Sequence, residues 1–149
     1  MMNVEQVRKD IKHILNFQQL GVLATYGSEY PYTSIVGFVA TDDLEHILFA
    51  TFRDTRKYGN IQSDPHVSIL IDNRSNRAED FSNARALTAL GIVTEVDRDE
   101  ENGFADLYLQ RFPQLKEFIS DPNCALMKIK VHKYIMVSRF QEVVELEMP

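Results

Sequence analysis

Thr55, Arg56 and Lys57 are the residues of this 149-residue chain whose types and spacing could bind an anion. They follow an apolar run at residues 47–51 and begin a short segment that ends at Asp64-Pro65. The hydroxyl and the two cations therefore lie where a predicted strand gives way to a predicted helix. A helix N-terminus carries free backbone N–H groups and a partial positive charge, so it suits a phosphate group. Since the net charge of the chain is −6, two cations at this turn are either a solvated helix start or a local phosphate site.

Hydrophobic periodicity predicts the elements that must position this turn. Apolar residues at helical spacing predict an opening helix, with Asn3 as its N-cap and Gly21 as its exit. Further helices are predicted at 55–63 and 100–111, with another helical turn after Pro113. Seven strands are predicted at 22–26, 31–40, 46–51, 66–72, 86–96, 124–131 and 134–140. Gly91 interrupts the fifth strand and indicates a bulge or a close backbone approach, and a short apolar tail follows at 143–146.

The order of these elements decides the fold class. Strands follow strands with few long helices between them, which argues against a parallel doubly wound sheet. We expect a mainly β (β+α) protein, an antiparallel barrel of about six to seven strands with peripheral helices, because closing the sheet removes exposed edges. The length fits a single domain over residues 1–149.

Composition narrows the function classes. The acidic balance argues against general nucleic-acid binding, and no apolar run approaches the roughly 18 residues of a membrane span. One cysteine, Cys124, excludes an internal disulfide and suits a reducing, cytoplasmic location; we expect it to be a small buried hydrophobe. The four histidines and this cysteine do not form a zinc pattern, so no metal is expected. Neither a catalytic triad nor a pair of catalytic carboxylates stands out, and the catalytic residues stay unknown.

Several segments together carry a resemblance to a known family. They are residues 31–38, 48–51, 55–57, 60–61, 64–65 and 67–70, with the spacing Thr-x3-Thr-Arg-Lys-x2-Asn-Ile-x2-Asp-Pro from Thr51 to Pro65. The pattern resembles the pyridoxamine 5'-phosphate oxidase-like, FMN-binding split-barrel proteins, and it covers nearly the whole chain. The resemblance implies a split barrel and a homodimer with FMN in a groove between the subunits.

The resemblance also implies which positions contact FMN. They are Ser34, Ile35, Val36, Ala50, Thr51, Thr55, Arg56 and Lys57. Arg56 and Lys57 would hold the phosphate, because a dianion needs charge-assisted donors, and the hydroxyls of Thr51 and Thr55 would assist them. Residues 34–36 would run beside the flavin ring and offer it backbone N–H and C=O groups. Ala50 would lie near the ribityl chain or the ring.

Three hypotheses of function follow. The first is an FMN-dependent oxidoreductase that transfers electrons to or from a small organic substrate. The alternative is a flavin- or haem-binding or sensing protein of the same fold. His132 is then the candidate haem ligand, although the simpler interpretation of His132 is a polar turn residue. The third is a flavin-free structural dimer.

The chain has no tryptophan and ends Glu145-Leu146-Glu147-Met148-Pro149, whereas true pyridoxamine phosphate oxidases carry Trp and Arg there. We therefore expect a substrate other than a form of vitamin B6.

The polar loop at residues 73–85 has two interpretations. It is either solvated surface, or else a rim over the flavin or part of the dimer contact. In the second case we expect Phe81 to anchor the loop and Asp80 to pair with a nearby arginine.

Overall fold

A closed antiparallel barrel forms the body of the protein in the computed structural model, which describes residues 3–100, 102–138 and 142–149. Within those residues, the strands are β1 (Leu20–Tyr26), β2 (Pro31–Ala40), β3 (His46–Phe52), β4 (His66–Asp72), β5 (Ala86–Glu95), β6 (Cys124–Ser138) and β7 (Glu142–Glu147). Their order in the sheet is β3-β2-β1-β4-β5-β6-β7, and β3 also pairs with β6, which closes the first six strands into a barrel. All of these pairings are antiparallel. The predicted mainly β barrel is therefore confirmed.

The barrel is split between β2 and β3. These two strands pair only over Phe38–Ala40 and Ile47–Phe49, whereas residues 31–37 of β2 pair with β1 on their other side. The last residues of β3, from Ala50 to Phe52, pair instead with Leu126 to Cys124 of β6. One backbone edge of β2 over residues 31–37 therefore has no partner strand from β3. We call the gap between this edge and the end of β3 the β2–β3 opening.

The helices cover the ends and one side of the barrel. They are α1 (Val4–Phe17), α2 (Arg56–Ser63), α3 (Asp80–Asn83), α4 (Phe104–Arg111) and α5 (Lys116–Ser120), with a 3-10 turn at Pro113–Leu115. Asn3 caps α1 as predicted, since its side chain accepts a hydrogen bond of 2.9 Å from the backbone N–H of Glu5. In the parts of the chain that the structure describes, none of these helices is long and apolar enough to cross a membrane.

The predicted exit of α1 at Gly21 is wrong. The helix ends at Phe17, Gln18 is already extended, and Gly21 lies inside β1, where it pairs with Val36. A Cβ atom on Gly21 would stand 3.0 Å from the side chain of Ile69. Gly21 therefore permits close packing of β1 inside the barrel, which local sequence cannot distinguish from a helix exit.

Two predictions at the C-terminal end are also corrected. The two strands predicted at 124–131 and 134–140 are one continuous strand, β6, and the tail at 143–146 lies in a further strand, β7; residues 139–140 lie outside the described residues. The polar pair His132-Lys133 predicted a turn, but β6 continues through it. Leu90 pairs with Lys133 and Gly91 with Val131, so the register shift leaves His132 as an extra residue of β6. The predicted irregularity at Gly91, a bulge or a close backbone approach, is confirmed, because the register shifts there and a Cβ would lie 2.2 Å from the carbonyl oxygen of Lys130. The predicted turn at His132 is wrong.

Apolar side chains pack in two clusters. The larger fills the barrel and is covered by α1, which contributes Val7, Ile11, Ile14 and Leu15. The smaller lies outside the barrel, where α4 and α5 pack on β3 and β6, and it includes Cys124. The buried state predicted for this cysteine is confirmed, and burial raises the pKa of its thiol.

Candidate functional site at the β2–β3 opening

Two threonine hydroxyls organise the turn at which α2 begins. Thr55 is the extended N-cap of α2, and its Oγ1 accepts a hydrogen bond of 3.3 Å from the backbone N–H of Tyr58. The same hydroxyl donates to the carbonyl of Phe52 at 2.9 Å, so the end of β3 and the start of α2 are tied together. Thr51, only 2% exposed, places its Oγ1 2.9 Å from that of Thr55. The structure thus brings the two predicted hydroxyls to the helix N-terminus.

The two cations of the turn have no anionic partner within the described residues. Among residues 3–100, 102–138 and 142–149, no ion pair involves Arg56 or Lys57. Lys57 is half-buried, and burial alone lowers the pKa of its amino group. The guanidinium of Arg56 lies over the ring of Tyr32, 5.3 Å from the ring centroid. Desolvating a cation without a counter-charge is unfavourable, so an anion bound here would be stabilised.

The carboxylate that contacts α2 through Tyr58 is already engaged. Glu95 forms an ion pair of 2.8 Å with Arg53 and accepts a hydrogen bond of 3.1 Å from the hydroxyl of Tyr58. Arg53 also lies over the Tyr58 ring, at 5.9 Å from its centroid. Because Glu95 is paired with Arg53 and hydrogen-bonded by Tyr58, this carboxylate does not neutralise the charge of Lys57.

The residues of β2 alternate across the edge of the opening. Ser34 faces inward, and its Oγ is buried without a hydrogen-bond partner among the described residues. Ile35 faces outward and is 70% exposed, whereas Val36 is buried. A buried hydroxyl ordinarily has a partner, so the unpaired Oγ of Ser34 fits a ligand that brings a polar atom into the opening. Ile35 and Val36 could contact such a ligand mainly through their backbone.

The predicted residues therefore fall into two groups around one gap. Thr51, Thr55, Arg56 and Lys57 meet at the turn, and residues 34–36 lie along the unpaired edge of β2. Ala50 is half-buried at the end of β3, where it pairs with Leu126 rather than with β2.

Sequence reasoning missed Tyr32 and Thr25 at this site. Thr25 is 3% exposed and accepts a hydrogen bond of 3.0 Å from the side-chain amide of Asn60. Tyr32 contacts Arg56 as described above. A threonine in an otherwise apolar strand was the available signal for Thr25, whereas nothing local marks Tyr32 as a neighbour of α2.

Asp80 and Phe81 behave differently from the prediction for the loop at 73–85. The carboxylate of Asp80 accepts hydrogen bonds from the backbone N–H groups of Ser75, Asn76 and Arg77 and from the Ser75 hydroxyl, rather than from an arginine side chain. These donors lower the pKa of the Asp80 carboxyl. Phe81 is 72% exposed, so it does not anchor the loop within the monomer. The loop is closed by a carboxylate, and the predicted Asp–Arg pair is wrong.

A second concave region lies on the outer face of the barrel, across β1, β4 and β5. The cavity measures about 570 Å³, and both His66 and His132 line it. Its floor is built from small side chains, since Ala24 pairs with Ser68 in adjacent strands. The Nδ1 atom of His66 lies 2.8 Å from a carboxylate oxygen of Asp64, which leaves Nε2 for a ligand. No group of three or more metal-ligating side chains occurs in the described part of the chain.

Comparison with known proteins identifies the family. The family described as pyridoxamine 5'-phosphate oxidase matches residues 7–138, which span the whole barrel. The chain belongs to this family. No match to the chain was found among curated protein sequences.

Solved structures share the fold at low sequence identity. A heme binding protein from Mycobacterium smegmatis is 18% identical, with a TM-score of 0.82 over 94% of this chain and 57% of that chain. Campylobacter jejuni ChuZ is 17% identical, with a TM-score of 0.83 over 99% of this chain and 61% of that chain. A FAD-binding protein from Mesorhizobium loti is 14% identical, with a TM-score of 0.68 over 86% of this chain and 90% of that chain. This chain spans less than two thirds of the first two, and at such identity the likeness establishes the fold alone.

Proposed function

We propose that the protein binds FMN at the β2–β3 opening and exchanges electrons between the flavin and a small organic substrate. The observation that carries the proposal is the half-buried Lys57, which has no ion-pair partner among the described residues and adjoins Arg56 at a capped helix N-terminus. Bound flavin would supply the electron transfer, while the protein binds and orients it. The cations and the hydroxyls of Thr51 and Thr55 would hold the phosphate. The Ser34 hydroxyl and the backbone of residues 34–36 would face the ring.

The absorbance spectrum of the purified protein tests this proposal directly. We expect the near-ultraviolet and blue absorbance bands of a flavin, either as isolated or after addition of FMN and removal of the excess. Anaerobic bleaching of those bands by NADH or NADPH would support a reductase. A colourless protein that does not retain added FMN would refute flavin binding, and bands that no reductant or substrate bleaches would favour a storage or sensing protein.

The proposal includes a homodimer with FMN between the subunits. Large apolar side chains on the outside of β1 and β2 support it, since Leu20 is 62% exposed and Ile35 lies across from Val22 on the adjacent strand. We further propose that residues 1–149 form a single domain. We also propose a cytoplasmic location, which suits the lone cysteine.

The dimer is tested by the mass of the protein in solution. Light scattering after size exclusion is expected to give twice the chain mass for the wild type and a lower mass for Ile35→Asp, because burying that carboxylate is costly. Val4→Asp is the control; Val4 is also exposed, and an acid in the first turn of α1 is tolerated. A monomeric wild type would contradict the dimer.

Haem binding is the second candidate, and the outer cavity favours it. His66 is oriented by Asp64, an arrangement typical of metal-ligating histidines, and His132 lines the same cavity. The heme binding protein from M. smegmatis shares the fold. A Soret band after haem addition that His66→Ala or His132→Ala removes would support haem at this cavity, whereas a band that neither variant changes would place haem elsewhere.

A further inference from the structure

Two buried threonines form hydrogen bonds to α2 or to its N-cap. These are Thr51, which contacts Thr55 at the start of the helix, and Thr25, which contacts Asn60 in the second turn. The helix has only eight residues and includes Gly59, so it would not be stable alone. Its orientation therefore depends on these two contacts and on the burial of Ile61.

Asn60 and Arg56 contact two residues that are themselves neighbours. They are four positions apart on α2 and so lie on the same helix face. Asn60 donates to Thr25 on β1 at 3.0 Å, and Arg56 lies over the ring of Tyr32 on β2 at 5.3 Å. Thr25 and Tyr32 are register partners, and the Thr25 hydroxyl donates to the Tyr32 carbonyl at 3.4 Å. The four residues thus form a closed ring of contacts, which we call the Asn60–Thr25–Tyr32–Arg56 ring.

We propose that Asn60 is a positioning residue that acts through this ring to aim the Arg56 guanidinium at a phosphate bound at the start of α2. This inference rests on the proposed FMN function. The amide of Asn60 fixes the rotation of α2 against β1, and the Tyr32 ring restricts the rotamers of Arg56. A side chain held in its binding conformation loses less entropy when the ligand arrives. This role requires no contact between Asn60 and the flavin itself, because the Asn60 amide acts through its hydrogen bond to Thr25.

The test compares FMN with riboflavin, which has the same ring system but no phosphate. Dissociation constants are measured by flavin fluorescence quenching for the wild type, Asn60→Leu and Thr25→Val. Both variants remove the hydrogen bond and keep the number and branching of the side-chain heavy atoms. We expect the preference for FMN over riboflavin to fall about fivefold to tenfold in each, the effect of one lost hydrogen bond, while riboflavin affinity stays unchanged. Gln62→Leu, at an exposed position of the same helix, should keep the wild-type preference.

Tyr32 gives a second route that does not disturb the buried threonine. Tyr32→Leu should lower the preference for FMN, and Tyr32→Phe, which keeps the ring, should not. If the wild type prefers FMN and Arg56→Ala lowers that preference, but the Asn60, Thr25 and Tyr32→Leu variants do not, the positioning role is refuted while the phosphate site stands. If the wild type binds FMN no better than riboflavin, the phosphate site proposed above fails and the positioning role fails with it.

Discussion

Alanine at Arg56 or at Lys57 is expected to weaken FMN binding by about 1.5–3 kcal/mol each, the usual value of a hydrogen bond to a charged group. The physical reason is that neither cation has a carboxylate partner among the described residues, so each is free to pair with a phosphate. Riboflavin affinity should change much less, because the lost interaction is with the phosphate. Titration of flavin fluorescence with both ligands measures the two effects together.

Lys9→Ala is the matched control for charge, since Lys9 is exposed on α1 and far along the chain from the turn. It removes one positive charge, as Lys57→Ala does, and should leave FMN affinity unchanged. Equal losses in Lys9→Ala and Lys57→Ala would mean that a general electrostatic effect, not a site, governs binding. Unchanged affinity in both Arg56→Ala and Lys57→Ala would refute the assignment of the phosphate site.

Lys57 also makes the binding depend on pH in a defined direction. Burial lowers the pKa of its amino group, so the unfolded chain binds that proton more tightly than the folded one. Stability of the ligand-free protein should therefore rise with pH between the lowered value and the ordinary value of about 10.4. FMN affinity should fall over the same range, because the ammonium that we propose to pair with the phosphate is lost. In Lys57→Met, the ligand-free protein should be more stable and FMN binding weaker, a combination that a merely structural lysine would not give.

The sequence predicted those parts of the fold and site that depend on local chemistry. Thr55 marks the start of α2 because an N-cap hydroxyl acts on its own helix, and β2 begins at Pro31 and ends at Ala40 as predicted because turn residues flank it. The cluster of hydroxyls and cations at the turn lies within a few residues of chain, so its members are neighbours in any fold that forms the helix. The assigned roles of these residues in FMN binding remain predictions.

Contacts between distant segments could not be read in the same way. Asn60 and Thr25 are 35 residues apart, and only the packing of α2 on β1 brings them together. Likewise, His132-Lys133 has the composition of a turn, but β6 continues through it with His132 as an extra residue opposite Leu90 and Gly91 of β5. Phe81 was expected to anchor the loop, yet it is largely exposed, since burial of a loop side chain depends on contacts with distant segments.

Gly91→Ala is expected to destabilise the fold by about 3 kcal/mol, at the upper end of the usual cost of overpacking. A Cβ at this position would lie 2.2 Å from the carbonyl oxygen of Lys130 and 2.8 Å from a side-chain carbon of Ile129. The nearer atom is backbone in the adjacent strand, so it cannot move aside as the end of a flexible side chain would. Urea unfolding followed by circular dichroism should give a lower midpoint with an unchanged m-value.

Gly59→Ala is the matched substitution with the opposite expected sign. Gly59 lies inside α2, and a Cβ there would meet no atom within 4 Å, so alanine should stabilise the protein by about 0.5–1 kcal/mol through its helix propensity. Comparing Gly91→Ala with Gly59→Ala distinguishes the effect of a close backbone approach in the barrel from the general effect of replacing a glycine.

If Gly91→Ala is as stable as the wild type, β5 and β6 do not approach as closely as the register shift requires. His132 would then not be held beside the outer cavity by this bulge, and the case for that cavity as a haem site would weaken accordingly.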